Sequence, residues 1–320
     1  MERLAEGYGI IANITALIVD IPLGHRRVEI GLQLRQAWLI NGLLCNSEIW
    51  QKLTEKDTKD LNKIDHIVLR SIIGAHSKVP IEQLYLETAS IPLSDIIKTR
   101  RMIYLQTILQ RPDSELTRQV YEAMKADPIP DDWCLLVDKD FQEINLKISD
   151  LEICAMDPMS YKATIKSRVR DYSYINLKEM QAGHEKGSTL EHMDLQSPQG
   201  YLTTNKLNNK QISLLFNLRC ESLNGIRNNF HNQYFGDLQC RLCMNSVDDQ
   251  EHLLQCLEIK KHIQVSPDIK YEHIYGTLKE QIAVTIHISS ILEVRDRLLE
   301  GGAGLPGHTS TGPLDIECSA

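Results

Sequence analysis

Apolar residues recur every three to four positions along most of this chain, whereas strict alternation of apolar and polar residues is scarce. The first spacing places apolar side chains on one face of an α-helix, and the second would indicate strands. One stripe predicts an amphipathic helix that ends at Gly74, and it consists of Leu61, Ile64, Ile67, Val68 and Ile72. We therefore predict a mainly α fold.

Prolines mark the borders of further predicted helices. Pro80 and Pro92 stand where helices can begin, because a first-turn proline lacks only an N–H that has no helical partner there. The apolar pattern after Pro92 continues to Leu109, and Pro112 ends it. A richly apolar segment covers 32–50, and more helices are predicted over 116–126, 211–223 and 271–299.

Two segments lack the large apolar residues that a core needs. Glycine, serine and proline interrupt the chain between Ala182 and Asn209, which predicts a linker. The end of the chain, 301–320, is rich in glycine and threonine, and we predict a flexible tail there.

The composition is typical of a globular protein in a reducing compartment. With 320 residues, of which 42% are hydrophobic, the chain can bury one or two cores. The apolar stretch within 1–20 is too short to span a bilayer and begins near acidic residues, so it predicts a buried amphipathic helix. The eight cysteines show no disulfide pattern. We expect an intracellular protein, nuclear or cytoplasmic, without a membrane partner.

One short array combines residue type and spacing in a way that demands a specific chemistry. Cys240, Cys243, His252 and Cys256 form a Cys-x2-Cys-x8-His-x3-Cys pattern. Zinc takes four soft or borderline ligands in a tetrahedron, and three thiolates with one imidazole are a common closed structural set. His252 and Cys256 are four residues apart, so on a helix both point from one face. The array predicts a structural zinc site.

Other interpretations of these residues carry less weight. Cysteine is often a small buried apolar residue, and His252 could be an ordinary helix histidine. His231 and His262 are possible substitute ligands. A catalytic zinc site keeps an open position for water and usually has fewer thiolates, so a hydrolytic site is not expected. Asp248 is predicted to cap the helix that carries His252, with Glu251 completing a capping box.

Any contact with nucleic acid must come from local basic patches, because the net charge of the chain is −8. The strongest patch lies at 161–178, where cations surround Tyr161, Tyr172 and Tyr174. Cations beside aromatic rings suit phosphate contact and base stacking, whereas a solvated helix face is the other interpretation, and both stay open. The main candidates here are Lys162, Lys166, Arg168 and Arg170.

A second candidate surface precedes the cysteine array. Residues 206–235 combine cations, amides and aromatic residues, which suits contact with single-stranded nucleic acid. The aromatic residues could instead pack the small core beside the metal, and we favour that interpretation for Phe230. The candidate contacts are Arg219, Arg227 and Tyr234. Two other basic clusters indicate solvated helix faces, namely Arg26, Arg27 and Arg35, and Lys98, Arg100 and Arg101.

No motif supports catalysis by this chain alone. The sequence contains no nucleophile elbow, phosphate-binding glycine loop or HExxH. The acidic pairs at 131–132 and 248–249 suit turns or helix caps. Glu258 and Lys260 are similar to half of a metal-dependent nuclease site, but no suitable aspartate precedes them. We expect a non-catalytic protein without a small-molecule substrate.

Two stretches resemble the reverse transcriptases of non-LTR (LINE-type) retrotransposons. The first, 21–50, begins Ile-Pro-Leu-Gly-His-Arg-Arg and ends Asn-Ser-Glu-Ile-Trp, and it is similar to the region that follows the palm. The second is similar to the C-terminal CCHC segment and is the more specific likeness. It runs from Leu-Phe-Asn-Leu-Arg through Asn-Asn-Phe-His-Asn-Gln-Tyr to the array with Glu-His-Leu-Leu-Gln-Cys. The likeness extends over most of 5–300.

The resemblance implies a helical thumb-like bundle, a helical linker region and a small CCHC zinc module. In that division, 1–20 is a remnant of the palm–thumb junction helix, 21–111 the thumb-like region, and 112–181 a helical region with the basic and aromatic stretch. The linker is 182–209, the zinc-knuckle module 210–262, the C-terminal helices 263–300 and the tail 301–320. The family's catalytic palm and any nuclease domain have no counterpart among these segments.

We therefore expect a zinc-containing, nucleic-acid-binding part of a retrotransposon reverse transcriptase, which contacts template RNA or target DNA. The other hypothesis is a helical protein-interaction scaffold with a purely structural zinc site. Salt-dependent binding of nucleic acid distinguishes the two, because phosphate contacts release counterions.

Overall fold

The computed structural model describes residues 9–17, 27–182, 196–223, 225–226, 238–264 and 266–301. Helices make up most of this part of the chain, and its only β pairing is an isolated antiparallel bridge between Gln239 and Val247. The prediction of a mainly α fold is confirmed.

The helices follow one another along the chain with short connections. The first, α1, occupies 9–17. The second, α2 (Arg27–Leu34), continues as a π-helical segment (Arg35–Leu43). The others are α3 (Glu55–Ile73), α4 (Ile81–Glu87), α5 (Leu93–Leu109), α6 (Leu116–Ala126), α7 (Trp133–Glu143), α8 (Asp150–Ala155), α9 (Pro158–Ala182), α10 (Gly200–Thr203), α11 (Asn209–Arg219), α12 (His252–Gln255), α13 (Leu257–Lys260) and α14 (Leu278–Gly301). Short 3₁₀ turns occupy Ser47–Ile49 and Tyr271–Tyr275.

Local residues fix both ends of α3. The Asp57 N–H donates to Oγ1 of Thr54 at 3.1 Å, and the Thr54 N–H donates to the Asp57 carboxylate at 3.1 Å. This reciprocal capping box satisfies two donors of the first turn. The helix ends at Gly74, whose φ of +76° favours glycine. The predicted end at Gly74 is confirmed.

Other helix borders were predicted with mixed success. Pro80 and Pro92 immediately precede α4 and α5, and α6 occupies the predicted 116–126. The helix predicted over 211–223 ends early, at Arg219, because the backbone then turns through Glu221 at a φ of +46°. The pattern over 271–299 is divided near Gly276, where Thr277 and Glu280 cap the start of α14.

The apolar stretch near the start of the chain forms α1. Ile11 and Ile14 are buried, which confirms the predicted buried helix within the described residues. Among the described helices, none combines the length and apolar character needed to cross a membrane.

The buried apolar side chains form two clusters that share α5 and α9. The larger cluster includes side chains from α1 to the start of α5, the end of α9, and α11 to α14. The smaller one joins the rest of α5 and the start of α9 with α6, α7 and α8. Helix α5 contributes Leu93 and Ile97 to the larger cluster and Met102 and Leu105 to the smaller. Helices α5 and α9 therefore connect the two clusters.

This packing places residues from several of the predicted segments in one core. Residues 183–195 of the predicted linker lie outside the described residues, but Tyr201 and Leu202 are buried in the larger cluster. The Gln199 N–H also donates to the Glu87 carbonyl at 2.9 Å. Two large apolar side chains are enough to anchor this part, despite the polar residues around them. The predicted zinc module and C-terminal helices share the same cluster, so they do not form separate cores.

Buried ion pairs connect segments that are distant in sequence. A buried charge needs a partner, since an unpaired one is strongly destabilising. Two of these pairs contain Arg35 and Arg101, so the predicted solvated faces are wrong for both residues. The pairs between side chains of at most 7% exposure are Arg35–Asp65 at 2.6 Å, Arg101–Asp140 at 3.0 Å, Arg219–Glu87 at 2.8 Å and Arg295–Asp248 at 2.8 Å.

The contact between α2 and α3 gives a first testable prediction. A Cβ added at Gly31 would lie 2.8 Å from Cγ1 and 2.9 Å from Cγ2 of Ile72. We expect Gly31→Ala to lower the free energy of unfolding by about 1–3 kcal/mol, the usual cost of overpacking. Gly9→Ala is the control, because nothing lies within 4 Å of its added Cβ. Urea unfolding monitored by circular dichroism measures both, and equal stability of the two variants contradicts the packing of α2 on α3.

Candidate functional site

A short turn presents the first two cysteines of the array. The Asp248 N–H donates to the Leu238 carbonyl at 2.7 Å, and the Cys240 N–H donates to the Ser246 carbonyl at 2.8 Å. Inside this loop the Met244 N–H donates to the Cys240 carbonyl at 2.9 Å. These bonds close a knuckle over 238–248, from which the thiols of Cys240 and Cys243 point to one side.

The other two residues of the array lie at the two ends of α12. His252 begins this one-turn helix and Cys256 follows it, and the Cys256 N–H donates to the His252 carbonyl at 2.8 Å. The predicted cap is corrected here. The His252 N–H donates to Oδ1 of Asp249 at 2.7 Å, whereas Asp248 is buried and pairs with Arg295. The neighbouring aspartate therefore accepts the first N–H of α12 from three positions before it, Glu251 stands at the N-cap without a side-chain cap bond, and Asp248 is held in its ion pair with α14.

The four predicted ligand atoms meet at one point. They all lie within 4.8 Å of one another, with 3.9 Å between the sulfurs of Cys240 and Cys256 and 3.3 Å between the Cys243 sulfur and Nε2 of His252. Tetrahedral zinc with Zn–S bonds of about 2.3 Å places two sulfurs about 3.8 Å apart. The four side chains therefore fit a tetrahedral metal ion. His262, the described substitute candidate, is exposed and is not part of the cluster.

Three of the four residues of the cluster are shielded from solvent. Cys240 and Cys256 are fully buried and His252 is 8% exposed, whereas Cys243 is half-buried. Burial raises the pKa of the Cys240 thiol to about 11, so without a cation this thiol would stay protonated at neutral pH. A mostly buried Cys3His set has the character of a structural metal site.

Arg295 connects the cluster to α14. Its Nη2 donates to Oδ2 of Asp248 at 2.8 Å and to the Gly225 carbonyl at 3.3 Å. Burial alone would lower the pKa of Arg295, but the hydrogen bond and charge of Asp248, with smaller contributions from Cys240 and Cys256, raise it. This guanidinium thus stays charged beside the thiols, where it would partly balance the negative charge of metal-bound thiolates.

The basic patch of α9 separates into two faces. Tyr161 and Tyr174 are buried, and the Tyr161 hydroxyl donates to the Met102 carbonyl at 2.9 Å. Tyr172 is half-buried, with the Lys98 ammonium 4.9 Å from its ring centre. The interpretation of these tyrosines as base-stacking residues is therefore wrong for Tyr161 and Tyr174. The predicted cations are exposed, and they are Lys162, Lys166, Arg168 and Arg170.

Three of these cations line a groove of about 820 Å³. Lys162, Lys166 and Arg170 are spaced four residues apart and form one wall, whereas Arg168 does not line the groove. Within the described part of the chain, none of their three side chains forms a salt bridge or hydrogen bond. We call Lys162, Lys166 and Arg170 the α9 cation row.

Arg219 is not a surface residue, which corrects its prediction as a nucleic-acid contact. The residue is 1% exposed, and Nε donates to Oε1 of Glu87 at 2.8 Å. Nη1 donates to the Ile274 carbonyl at 2.8 Å, and the guanidinium lies 5.5 Å from the Tyr201 ring and 5.3 Å from the Tyr275 ring. An internal carboxylate therefore holds this arginine, so it cannot reach a ligand.

The remaining residues that the sequence singled out either lie outside the described residues or form a surface ion pair. Arg227 and Tyr234 lie outside the described residues, as do Phe230 and His231. Glu258 pairs with Lys261 at 2.7 Å on the surface. In the described ranges, Cys240, Cys243, His252 and Cys256 are the one group of three or more His, Cys, Asp or Glu side chains placed to share an ion.

Sequence reasoning missed the residues that face the α9 cation row. Gln36 follows α2, and Tyr104 and Thr107 lie on α5, so the groove is built from segments more than 50 residues apart in the chain. None of them belongs to a recognisable motif. The sequence does show the four-residue spacing of the row. Each of its members directly follows a residue of a buried stripe, which consists of Tyr161, Ile165 and Val169.

The fold and the site together define a mainly helical protein with a Cys3His cluster that could bind a metal ion. Comparisons of the chain with protein-family models, with curated proteins and with solved structures found no match.

Proposed function

We propose that this protein binds nucleic acid through the α9 cation row and holds a structural zinc ion at Cys240, Cys243, His252 and Cys256. The observation that carries the proposal is the row itself: three exposed cations on one helix face without a described acidic partner. Most described arginines elsewhere contact carboxylates or carbonyl groups, as Arg101 and Arg118 do. Cations without an internal partner are available to an external anion.

The spacing of the row suits a repeating anion. Four residues of α-helix rise about 6 Å, so the three cations are far enough apart to contact different phosphates of one strand. The whole chain carries a net charge of −8, so attraction to phosphate has to be local. A polyphosphate backbone can contact all three members of the row at once.

The metal has a supporting role in this proposal. Three thiolates and one imidazole match the ligand set of structural zinc, and softer ligands disfavour magnesium or calcium. Arg295 and Asp248 connect the cluster to α14, and α14 packs in the larger core. Zinc would therefore fix the knuckle against the helical body rather than carry out chemistry.

The resemblance of 21–50 and of the cysteine array supports a more specific proposal. We propose that the chain corresponds to the part of a non-LTR retrotransposon reverse transcriptase that follows the palm, without catalysis of its own. Template RNA or target DNA is then the partner, and the cell interior, nuclear or cytoplasmic, is its location.

A matched pair of triple variants tests the binding proposal. For a single strand, each phosphate contact contributes about −0.7 to the slope of the logarithm of the association constant against the logarithm of salt concentration. The loss of three contacts therefore lowers the affinity roughly 100-fold at 0.1 M salt. We expect this loss for Lys162→Gln with Lys166→Gln and Arg170→Gln, measured by fluorescence anisotropy with a labelled single-stranded RNA. The control is Lys56→Gln with Lys59→Gln and Lys63→Gln, which removes three exposed cations of α3. Equal affinity of the two variants contradicts the proposal.

One observation favours the protein-interaction scaffold as a second candidate. Leu116 and Val120 lie one turn apart on α6 with 75% and 48% of their surfaces exposed. Adjacent exposed apolar residues often mark a protein contact. Failure of the wild-type protein to bind RNA or DNA at low salt would favour this candidate.

A further inference from the structure

The groove beside the α9 cation row has three different sides. Its floor is one face of α5, with Arg100, Tyr104 and Thr107. One wall is the cation row, and the opposite wall is formed by the end of α2 and the π-helical segment, with Gln36 and Ile40. We infer that this groove is a binding site for an unpaired nucleic-acid strand, in preference to a duplex. This inference rests on the proposed function and assigns it a place and a substrate form.

The charges of the groove favour the backbone of a strand along one wall only. Glu48 is the one acidic residue among the described residues that line it. Arg35 and Arg100 face the groove but are occupied: Arg35 is paired with Asp65, and Arg100 donates to the carbonyls of Leu44 and Ile40. The α9 row is therefore the side that attracts phosphates.

The floor and the opposite wall offer the chemistry that bases need. Gln36 has an amide, Thr107 a hydroxyl and Tyr104 an aromatic ring with a hydroxyl, and Ile96 and Ile103 add apolar surface. Single-stranded bases are bound by such amides and hydroxyls at their edges and by flat or apolar surfaces at their faces. A strand with its phosphates on α9 would direct its bases toward this side.

The size and the lining of the groove select between a single strand and a duplex. The unpaired bases of a single strand can bond to amides and hydroxyls inside a groove, whereas the bases of a duplex are already paired with each other. The volume of about 820 Å³ lies within the range of ligand sites, roughly 300–1,000 Å³. A short unpaired stretch fits, whereas a duplex can touch only the rim.

The π-helical segment gives the wall its shape. Arg100 of α5 donates from Nη2 to the Ile40 carbonyl at 3.3 Å and from Nη1 to Oγ of Ser47 at 3.4 Å, and it also bonds the Leu44 carbonyl. These bonds hold the end of the π-helical segment against α5. Irregular turns of this kind occur often at functional sites, and here the turn borders the proposed base side.

Two substitutions that place negative charge inside the groove test the inference. Gln36 and Thr107 are exposed and line the groove, whereas Gln33 and Gln110 are exposed on the same segments and do not line it. We expect Gln36→Glu with Thr107→Glu to weaken binding of a 12-nucleotide single strand at least tenfold in fluorescence anisotropy. Gln33→Glu with Gln110→Glu, which adds the same charge, should change it less than twofold. A hairpin duplex of equal length should bind the wild-type protein at least tenfold more weakly than the single strand.

The possible failures are distinguishable. If the wild-type protein binds neither oligonucleotide, the proposed function itself is wrong. The wild-type protein can instead bind RNA in a way that depends on the α9 cation row. If, in that case, both pairs of glutamate substitutions change the affinity equally, or the duplex binds as tightly as the single strand, the groove inference is overturned and the proposed function stands. A competition experiment gives a further test. If a mononucleotide displaces the labelled strand as effectively as the unlabelled strand does, at equal nucleotide concentration, the groove is a nucleotide pocket and the inference is overturned.

Discussion

Replacing Cys240 and Cys256 with serine is expected to abolish metal binding and to unfold the region 238–264. Serine hydroxyls are poor zinc ligands, and structural zinc contributes about 10–16 kcal/mol of apparent binding energy in small zinc domains. Apart from the buried Asp248–Arg295 pair, the turn of the knuckle is held by three backbone hydrogen bonds, two of which form its isolated bridge. That energy is comparable to the whole free energy of unfolding of a typical domain, about 5–15 kcal/mol.

Metal analysis and hydrogen exchange measure this outcome. The wild-type protein should contain one zinc ion per chain, and the double variant none. Amide protection should be lost in 238–264, and also near Arg295, which bonds Asp248 of the knuckle. The control is Cys45→Ser, because Cys45 is an exposed thiol outside the cluster. A wild-type protein without zinc, or a double variant with native protection, contradicts the metal site.

Glu87→Gln is expected to lower the free energy of unfolding by about 3–5 kcal/mol, the usual effect of leaving a buried charge unpaired. Glu87 and Arg219 have no exposed side-chain surface, and the same carboxylate accepts hydrogen bonds from Gln83 at 2.9 Å and Tyr201 at 3.2 Å. Loss of its charge therefore affects α4, α10 and α11 together. The additional change Arg219→Met should restore part of the stability, because it removes the orphaned cation.

Denaturant unfolding of the two variants and of an exposed-pair control measures this effect. Lys52 and Asp131 are paired at 2.8 Å with 54% and 59% of their side chains exposed. Such a surface pair contributes at most about 1 kcal/mol, so Lys52→Gln should have little effect. If Glu87→Gln is no more destabilising than Lys52→Gln, the buried ion pair between Glu87 and Arg219 is contradicted.

Local signals in the sequence predicted the parts of the structure that depend on neighbours in the chain. The end of α3 at Gly74, the proline starts of α4 and α5, and the meeting of the four array residues all follow from spacing or from backbone preference. Each of these features is decided within about 20 residues. The capping pair Thr277 and Glu280 was equally local, and it could have shown where α14 begins.

The features that sequence reasoning got wrong depend on partners far along the chain. Arg219 is buried because Glu87, 132 positions away, supplies its counter-charge. Asp248 leaves its expected capping position because Arg295 of α14 reaches it. A charged residue looks the same in a sequence whether its partner is water or a distant carboxylate. Tertiary packing decides whether these charged side chains are buried or exposed, and helical periodicity does not predict it.

The salt dependence of strand binding tests the central proposal most directly. For the wild-type protein, the logarithm of the association constant with single-stranded RNA should fall linearly with the logarithm of salt concentration. Each phosphate contact contributes a slope of about −0.7 for a single strand, so removing the three cations of the α9 row should reduce the slope by about 2. The variant of Lys56, Lys59 and Lys63 should keep the wild-type slope. If the α9 variant keeps it too, the nucleic acid is not held by Lys162, Lys166 and Arg170.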